Sequence, residues 1–205
     1  MFKAVIAFLK EGWVIFKDFK RIMKLTGGIH MIIQSKRVWI AGQFMPAQVK
    51  IEDKKIVDIY PYGTNAVDVD YDNDRILPGF IDIHTHGYHT WDTNDGTPEG
   101  LRHWMKEITS EGVTSICPTT ITQSHEVLSN ALKNVVRVVE EGYEGAEIIG
   151  IHFEGPYLDQ VYKGAQPEQY CVKPDLEQFK RYLAASNNLI KIVTMACEHD
   201  DNYEL

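Results

Sequence analysis

The chain has 205 residues and a formal net charge of −8, with 44% hydrophobic and 24% charged residues. This is an ordinary globular composition, long enough for one sizeable core. The acidic balance argues against a nucleic-acid partner, because neutralising phosphates requires clustered Lys and Arg. Three cysteines, Cys117, Cys171 and Cys197, show no paired metal-binding spacing. They predict reduced thiols and a cytoplasmic location.

The first segment, residues 1–30, reads as an amphipathic helix with Lys3, Lys10, Lys17 and Lys24 on one face. A basic amphipathic helix can lie on a membrane surface. However, the apolar run is too short for a signal peptide, and none approaches the roughly 20 apolar residues of a membrane span. We therefore predict no membrane partner. We expect this segment to be an extension that is not native, with translation starting at Met31.

From Met31 the pattern changes to period two. Short β-branched-rich runs are separated by Gly, Pro, Asp and Asn, which predicts a small antiparallel sheet. The predicted strands are Met31–Ile40, Ala47–Glu52, Lys55–Tyr60 and Val67–Tyr71.

The stretch Leu77–Gly87 reads L-P-G-F-I-D-I-H-T-H-G and predicts a buried strand entered through a Pro-Gly turn. Because alternate side chains share a face, Asp82, His84 and His86 point the same way. Two imidazoles one strand repeat apart can close on a single metal ion. The alternative is two histidines at an exposed strand end.

After this strand, helices and strands alternate. The predicted helices are 98–111, 124–141 and 175–186, and the predicted strands are 113–117, 146–153 and 189–195. Such alternation predicts an α/β fold with a parallel sheet. Apolar strands that become polar only at their C-terminal ends are typical of barrel strands that carry active-site residues.

Glu154 stands at the end of the predicted strand 146–153, where Gly155-Pro156 breaks it. A carboxylate there, level with His84 and His86, predicts a third metal ligand. The alternative is a carboxylate that stabilises the turn. His152 lies one repeat deeper, which favours a packing role over ligation.

Three blocks carry a family resemblance: P-G-F-I-D-I-H-T-H-G, then H-F-E-G-P-Y-L at His152–Leu158, then K-G-A-Q at Lys163–Gln166. The first looks like the first barrel strand of the amidohydrolase superfamily. All three in this order resemble the N-acetylglucosamine-6-phosphate deacetylase family. The resemblance runs from about Met31 to the last residue.

The resemblance implies a fold and a domain organisation. Residues 78–205 would form the N-terminal half of a metal-dependent (β/α)₈ TIM-like barrel, preceded by part of a small β-sandwich at 31–77. A complete barrel needs about 250 residues, so we expect the chain to be the N-terminal part of a longer protein.

It also implies the site. Glu154, His84 and His86 would hold a divalent metal, zinc or iron, as one or two ions, together with histidines on later strands. Ala165 and Gln166 match the position that touches the substrate. No catalytic residue is expected within the chain, because the general-base aspartate would lie beyond Leu205. Cys197 replaces a proline of the family pattern and is predicted to be small and buried.

The implied activity is hydrolysis of the acetamide of N-acetylglucosamine 6-phosphate to glucosamine 6-phosphate and acetate, in amino-sugar catabolism. The chain alone is expected to be inactive, its partner a small sugar phosphate, and the full-length enzyme a homodimer. Two alternatives stay open. One is another amidohydrolase, such as a deacetylase of a sister N-acetylhexosamine phosphate, and the other is a non-catalytic binding fragment.

Overall fold

The computed structural model describes residues 6–9, 30–53, 55–201 and 205. It separates into two compact units. The first combines Met1–Ile81 with Thr109–Thr114, and the second combines Asp82–Ile108 with Ser115–Leu205. Strands of the first unit are β1 (Ile6–Leu9), β2 (His30–Ile40), β3 (Gln43–Glu52), β4 (Lys55–Pro61), β5 (Val69–Asp70) and β6 (Arg75–Pro78).

These strands form one sheet in the order β1-β6-β2-β3-β4, with β5 beside β2. β2, β3 and β4 pair antiparallel, as the sequence predicts. The prediction of a purely antiparallel sheet is wrong for β5, which pairs parallel to β2. β6, which is not among the predicted strands, also pairs parallel to β2. The reason is topological: after β4 the chain crosses to the far edge of β2 instead of folding back on β4.

The predicted N-terminal helix is wrong where the structure describes it. Ile6–Leu9 is a strand that pairs antiparallel with β6, with Ile6 opposite Pro78 and Leu9 opposite Arg75. An extended segment in this place satisfies the backbone groups on the edge of β6, which a helix would leave unpaired. The remainder of the predicted helix lies outside the described residues, apart from His30, which begins β2.

The core of the first unit follows the period-two pattern. Ile33 and Val49 are opposite one another on β2 and β3, and both are almost fully buried. The buried cluster is formed by Met31, Ile33, Val38, Ala47, Val49, Ile51 and Ile76. Alternation puts Met31 and Ile33 on one face of β2, and an irregularity in the pairing between Ser35 and Val38 brings Val38 to the same cluster.

The second unit begins within β7 (Phe80–Thr85) and also contains the later part of β10 (Val113–Pro118). Its remaining strands are β8 (Gly87–Tyr88), β9 (Trp91–Asp92), β11 (Glu147–Ile148), β12 (Ile151–Glu154) and β13 (Ile190–Thr194). Its helices are α1 (Pro98–Glu107), α2 (His125–Glu141) and α3 (Leu176–Ala185). Single 3₁₀ turns cover Thr93–Asp95, Ile108–Glu111, Glu168–Tyr170 and Cys197–His199.

Parallel pairing of the strands between the helices is confirmed. β10 pairs parallel with β11, and β12 pairs parallel with β13. A parallel bridge between Thr119 and His152 links the end of β10 to β12. The single strand predicted over 146–153 is instead two strands, β11 and β12, interrupted at Ile149 and Gly150.

Helices α1 and α2 each bury one apolar face. α1 buries Leu101, Trp104 and Met105, and α2 buries Leu128, Ala131, Leu132, Val135 and Val138. Ser124 caps α2 by accepting a hydrogen bond from the amide of Val127. No helix among the described residues is long and apolar enough to cross a membrane.

The prediction that the apolar residues of β7 are buried is wrong. Phe80, Ile81 and Ile83 are 65%, 64% and 53% exposed. β7 is an end strand of its sheet, whose order is β11-β10-β7, so it has a neighbouring strand on one side only. Burial of a strand depends on what lies beside and across from it, which its own sequence does not contain.

Candidate metal centre

His84, His86 and Glu154 converge in the second unit. Oε2 of Glu154 lies 2.9 Å from Nε2 of His84 and 3.2 Å from Nε2 of His86. One ligand atom from each residue lies within 4.8 Å of the others, so the three form a candidate metal-binding group. The side chain of His84 is 50% exposed and that of Glu154 only 14%, so the group is open on the histidine side.

The donor set suits a divalent metal ion. Two ligand atoms bonded tetrahedrally at about 2.1 Å lie about 3.4 Å apart, so Oε2 of Glu154 needs to move away from each imidazole nitrogen by only a few tenths of an ångström. Oε2 of Glu154 is buried and has no hydrogen-bond partner, although two imidazole nitrogens face it. A buried unpartnered carboxylate oxygen is costly unless something positive occupies the space beside it. Imidazole and carboxylate ligands suit zinc or iron.

Residues close to the histidines fix the end of β7. Asp82 accepts a hydrogen bond from the backbone amide of His84 over 3.0 Å and a second from the hydroxyl of Thr85. Two hydrogen bonds, each 3.0 Å long, join Thr85 to Thr119. The amide of Thr85 donates to Oγ1 of Thr119, and the amide of Thr119 donates to the carbonyl of Thr85. The strand end that carries both imidazoles is therefore anchored by hydrogen bonds rather than by apolar burial.

The segment after His86 is fixed in a similar way. The carbonyl of His86 accepts hydrogen bonds from the amide of Thr93, over 2.8 Å, and from its hydroxyl, over 3.0 Å. Asp92 caps the 3₁₀ turn that follows by accepting from the amide of Asn94. Burial raises the pKa of the Asp92 carboxyl above its usual range. Asp92 therefore has a local structural role.

Glu154 is held at both its backbone and its side chain. Its backbone amide donates to Oγ1 of Thr120 over 3.1 Å. Its Oε1 atom accepts from Nε2 of Gln166 over 3.0 Å, and Oε1 of Gln166 in turn accepts from the amide of Thr122 over 2.7 Å. Thr120 and Thr122 come shortly after β10, and Gln166 lies in the loop after β12; together they support the end of β12.

His152 is not one of the converging residues, which agrees with its predicted packing role. Its Nδ1 atom lies 2.8 Å from the carbonyl oxygen of Ile83, so in the neutral ring Nδ1 carries the hydrogen. Nε2 then accepts from the hydroxyl of Thr194 over 2.7 Å. Burial lowers the pKa of His152, which favours this neutral form. The ring centroid lies 4.7 Å from that of His84, so His152 supports it by packing.

The two residues predicted to touch substrate lie in different environments. Ala165 is exposed, whereas Gln166 is 6% exposed and bonded at both ends of its amide. The contact between Gln166 and Glu154 was missed from the sequence, as were the roles of Thr120 and Thr122. A signal for the threonines was present, because P-T-T-I-T directly follows a predicted strand at the edge where site residues are expected.

Parallel strands alternating with helices, and carrying two histidines and a glutamate at their C-terminal ends, define an α/β protein with a candidate divalent-metal centre. Residues 75–199 match the model of the Amidohydrolase family. The chain belongs to this family, whose members are generally dependent on a divalent metal.

Two relatives that the chain matches in sequence are named as deacetylases of N-acetylhexosamine 6-phosphates. The chain is 42% identical over 133 residues to an N-acetylglucosamine-6-phosphate deacetylase of Bacillus subtilis (strain 168), a match that covers 63% of this chain and 34% of that relative. It is 29% identical over 153 residues to an N-acetylgalactosamine-6-phosphate deacetylase of Escherichia coli O157:H7, covering 75% of this chain and 40% of the relative.

Among solved structures, a mutant N-acetyl-D-glucosamine-6-phosphate deacetylase of Mycobacterium smegmatis in complex with N-acetyl-D-glucosamine-6-phosphate is similar, with a TM-score of 0.75 and 25% identity. The similarity covers 84% of this chain and 45% of that one. The chain thus spans about a third of the Bacillus subtilis relative and less than half of the solved structure.

Proposed function

We propose that this chain contributes to a metal-dependent deacetylase that hydrolyses the acetamide of N-acetylglucosamine 6-phosphate to glucosamine 6-phosphate and acetate. The observation that carries the proposal is the convergence of His84, His86 and Glu154, at the ends of parallel strands, in a chain that resembles deacetylases of this sugar phosphate. The four strands β7, β10, β12 and β13, alternating with helices, support the first half of a (β/α)₈ barrel over residues 78–205.

The roles of the chain's own residues follow from their contacts. His84, His86 and Glu154 hold the ion, which when bound lowers the pKa of water to about 7 and polarises the acetyl carbonyl. Asp82 orients the histidine strand through the amide of His84, and the Thr119–Thr120 pair fixes both strand ends. Exposed Ala165, beside buried Gln166, offers backbone and methyl surface to the sugar.

Protonation of the departing amine needs a further group. Asp82 uses both carboxylate oxygens on the amide of His84 and the hydroxyl of Thr85, and both ring nitrogens of His152 are engaged. The family resemblance assigns this proton transfer to an aspartate on a later strand. A positioned acid of this kind contributes about 10²–10⁴ in rate. We therefore propose that the chain binds metal but turns over slowly unless the remainder of such an enzyme is supplied.

The first experiment is metal uptake by the 205-residue chain after removal of adventitious metal. We expect uptake of zinc or ferrous iron, and a loss of at least tenfold in affinity in His84→Asn, His86→Asn and Glu154→Gln. His103→Asn serves as the control, because His103 is exposed on α1 and outside the converging group. Unchanged affinity in all three site variants would remove the metal centre and favour a non-catalytic fragment.

The second experiment measures acetate release from N-acetylglucosamine 6-phosphate by the metal-loaded chain. We expect little release from the chain alone and a clear increase when it is co-expressed with the C-terminal portion of a similar deacetylase. Turnover of about 1–10³ per second by the chain alone would show that it carries a complete active site. We also propose that the full-length enzyme is a homodimer. A cytoplasmic location is proposed as well, and the three unpaired cysteines favour it.

A second substrate has one specific observation in its favour. The Escherichia coli relative that covers 75% of this chain is named an N-acetylgalactosamine-6-phosphate deacetylase. The same metal-centred hydrolysis applies to either sugar. Comparing the two sugar phosphates in equilibrium binding to the zinc-loaded chain separates them, and tighter binding of the galactosamine compound would favour the second candidate.

A further inference from the structure

The side-chain amide of Gln166 has a defined orientation. Its Oε1 atom lies 2.7 Å from the backbone nitrogen of Thr122, and its Nε2 atom lies 3.0 Å from Oε1 of Glu154. The amide of Thr122 can only donate and a carboxylate can only accept. Reversing the amide of Gln166 would therefore oppose donor to donor and acceptor to acceptor, so a single orientation satisfies both contacts.

Gln166 is also fixed in place by its surroundings. It is 6% exposed, although Val161 and Tyr162 in the same loop are 80% and 86% exposed. Its backbone amide donates to the carbonyl of Lys163 over 3.2 Å, which closes a turn over Lys163–Gln166. A buried side chain that is bonded at both ends and flanked by exposed residues anchors this part of the loop. Its donor is consequently presented to Glu154 at a fixed position.

The consequence concerns the two oxygens of Glu154. Oε1 is occupied by the Gln166 donor, whereas Oε2 is buried, has no hydrogen-bond partner and faces Nε2 of both His84 and His86. We propose that Gln166 is a positioning residue. It holds Oε1 of Glu154 and leaves Oε2 as the single oxygen that binds the metal. This inference rests on the proposed metal centre and goes beyond a sugar contact for Gln166.

The test measures zinc affinity of the full chain by competition with a chromophoric chelator. Gln166→Met keeps length and approximate volume but removes both polar contacts, and we expect affinity to fall about 10–100-fold, as for other residues that orient metal ligands. Gln166→His should recover most of this loss, because a neutral imidazole still has one donor and one acceptor. Gln123→Met is the matched control, since the hydrogen bond that Gln123 makes within the described part of the chain is a local one, from the amide of Ser124.

X-ray absorption at the zinc edge gives a second readout that a purely structural role would not change. We expect one carboxylate oxygen in the wild-type shell and an additional or disordered oxygen in Gln166→Met. An unchanged shell together with unchanged affinity in Gln166→Met would overturn the inference while leaving the metal centre intact.

NMR of the metal-free wild-type chain separates this inference from the metal centre. We expect the side-chain NH₂ signal of Gln166 to exchange slowly with solvent and to shift in Glu154→Gln, since the contact exists without metal. Rapid exchange, with no response to Glu154→Gln, would refute the inference even if the Met variant fails to fold. Failure of the wild-type chain to take up metal, with this NMR signature present, would refute the metal centre and not the contact.

Discussion

Oδ2 of Asp159 lies 2.6 Å from Nε2 of His199, and this contact joins the loop after β12 to the 3₁₀ turn after β13. Asp159 also accepts hydrogen bonds from the amides of Val161 and Tyr162, over 2.7 and 2.9 Å. The hydrogen bond from His199, with those amides, holds the pKa of the Asp159 carboxyl below its usual range. Asp159 thus organises the loop that carries the K-G-A-Q block.

A lowered pKa in the folded state has a definite sign. The contribution of Asp159 to stability is fully present above its unfolded pKa, about 3.9, and is lost as the pH falls through the lower folded value. We expect Asp159→Asn to lower the denaturation midpoint at pH 7 and the difference from wild type to vanish as the pH falls below about 4. Denaturant titrations across this range measure it. Asp201→Asn is the control, because Asp201 forms an exposed ion pair with Lys173, and its denaturation midpoint should differ little from wild type. A loss of stability in Asp159→Asn that does not change with pH would contradict the lowered pKa of Asp159.

Gly155 should not tolerate a side chain. Its φ is +75°, and a Cβ there would lie 1.9 Å from Oγ1 of Thr122, on the segment that supports Gln166. We expect Gly155→Ala to destabilise the chain by well over 1 kcal/mol and to weaken metal binding by displacing Glu154. Gly164→Ala is the matched control, because Gly164 also has a positive φ, +61°, but nothing within 4 Å. It should cost about 1–2 kcal/mol and leave metal affinity unchanged.

The sequence is sufficient to predict that His84, His86 and Glu154 come together, because their placement depends on local rules. Alternation along one strand puts His84 and His86 on a common face, and parallel strands bring their C-terminal ends, including Glu154, to one edge. The first rule needs only a few consecutive residues, and the second needs only the alternation of strands and helices. The structure brings the three side chains together, as these rules predict.

Other features depend on contacts distant in sequence. Asp159 and His199 are 40 residues apart, and the Gln166 amide binds Thr122 from 44 residues away. No periodic pattern in the sequence indicates either of these two contacts. The prediction that Gln166 faces the sugar therefore rests on the family resemblance alone. The amphipathic pattern before Met31 favoured a helix, whereas the open edge of β6 selects an extended strand at Ile6–Leu9.

The three cysteines should differ sharply in reactivity. Cys117 and Cys171 are buried, and burial raises the pKa of both thiols, whereas Cys197 is exposed, contrary to the prediction that it is buried. Since the thiolate is the reactive form, we expect a thiol reagent to modify one cysteine rapidly in the folded chain and all three after denaturation. Cys197→Ser should abolish the rapid phase. A rapid phase that persists in this variant would show that one of the buried thiols is accessible.

Metal removal should lower the stability of the wild-type chain more than that of a variant of the candidate metal centre. An ion that binds only the folded state adds RT ln(1 + [M]/Kd), about 2.7 kcal/mol at a free concentration of 100 Kd. We expect chelation to remove this increment from wild type, measured as a shift of the denaturation midpoint at constant pH. In Glu154→Gln the increment at the same free metal concentration should be smaller by at least about 1.3 kcal/mol, because the carboxylate that faces both imidazoles is gone and affinity falls at least tenfold. His103→Asn should respond as wild type does. An equal response to chelator in Glu154→Gln and wild type would place the stabilising ion elsewhere in the chain.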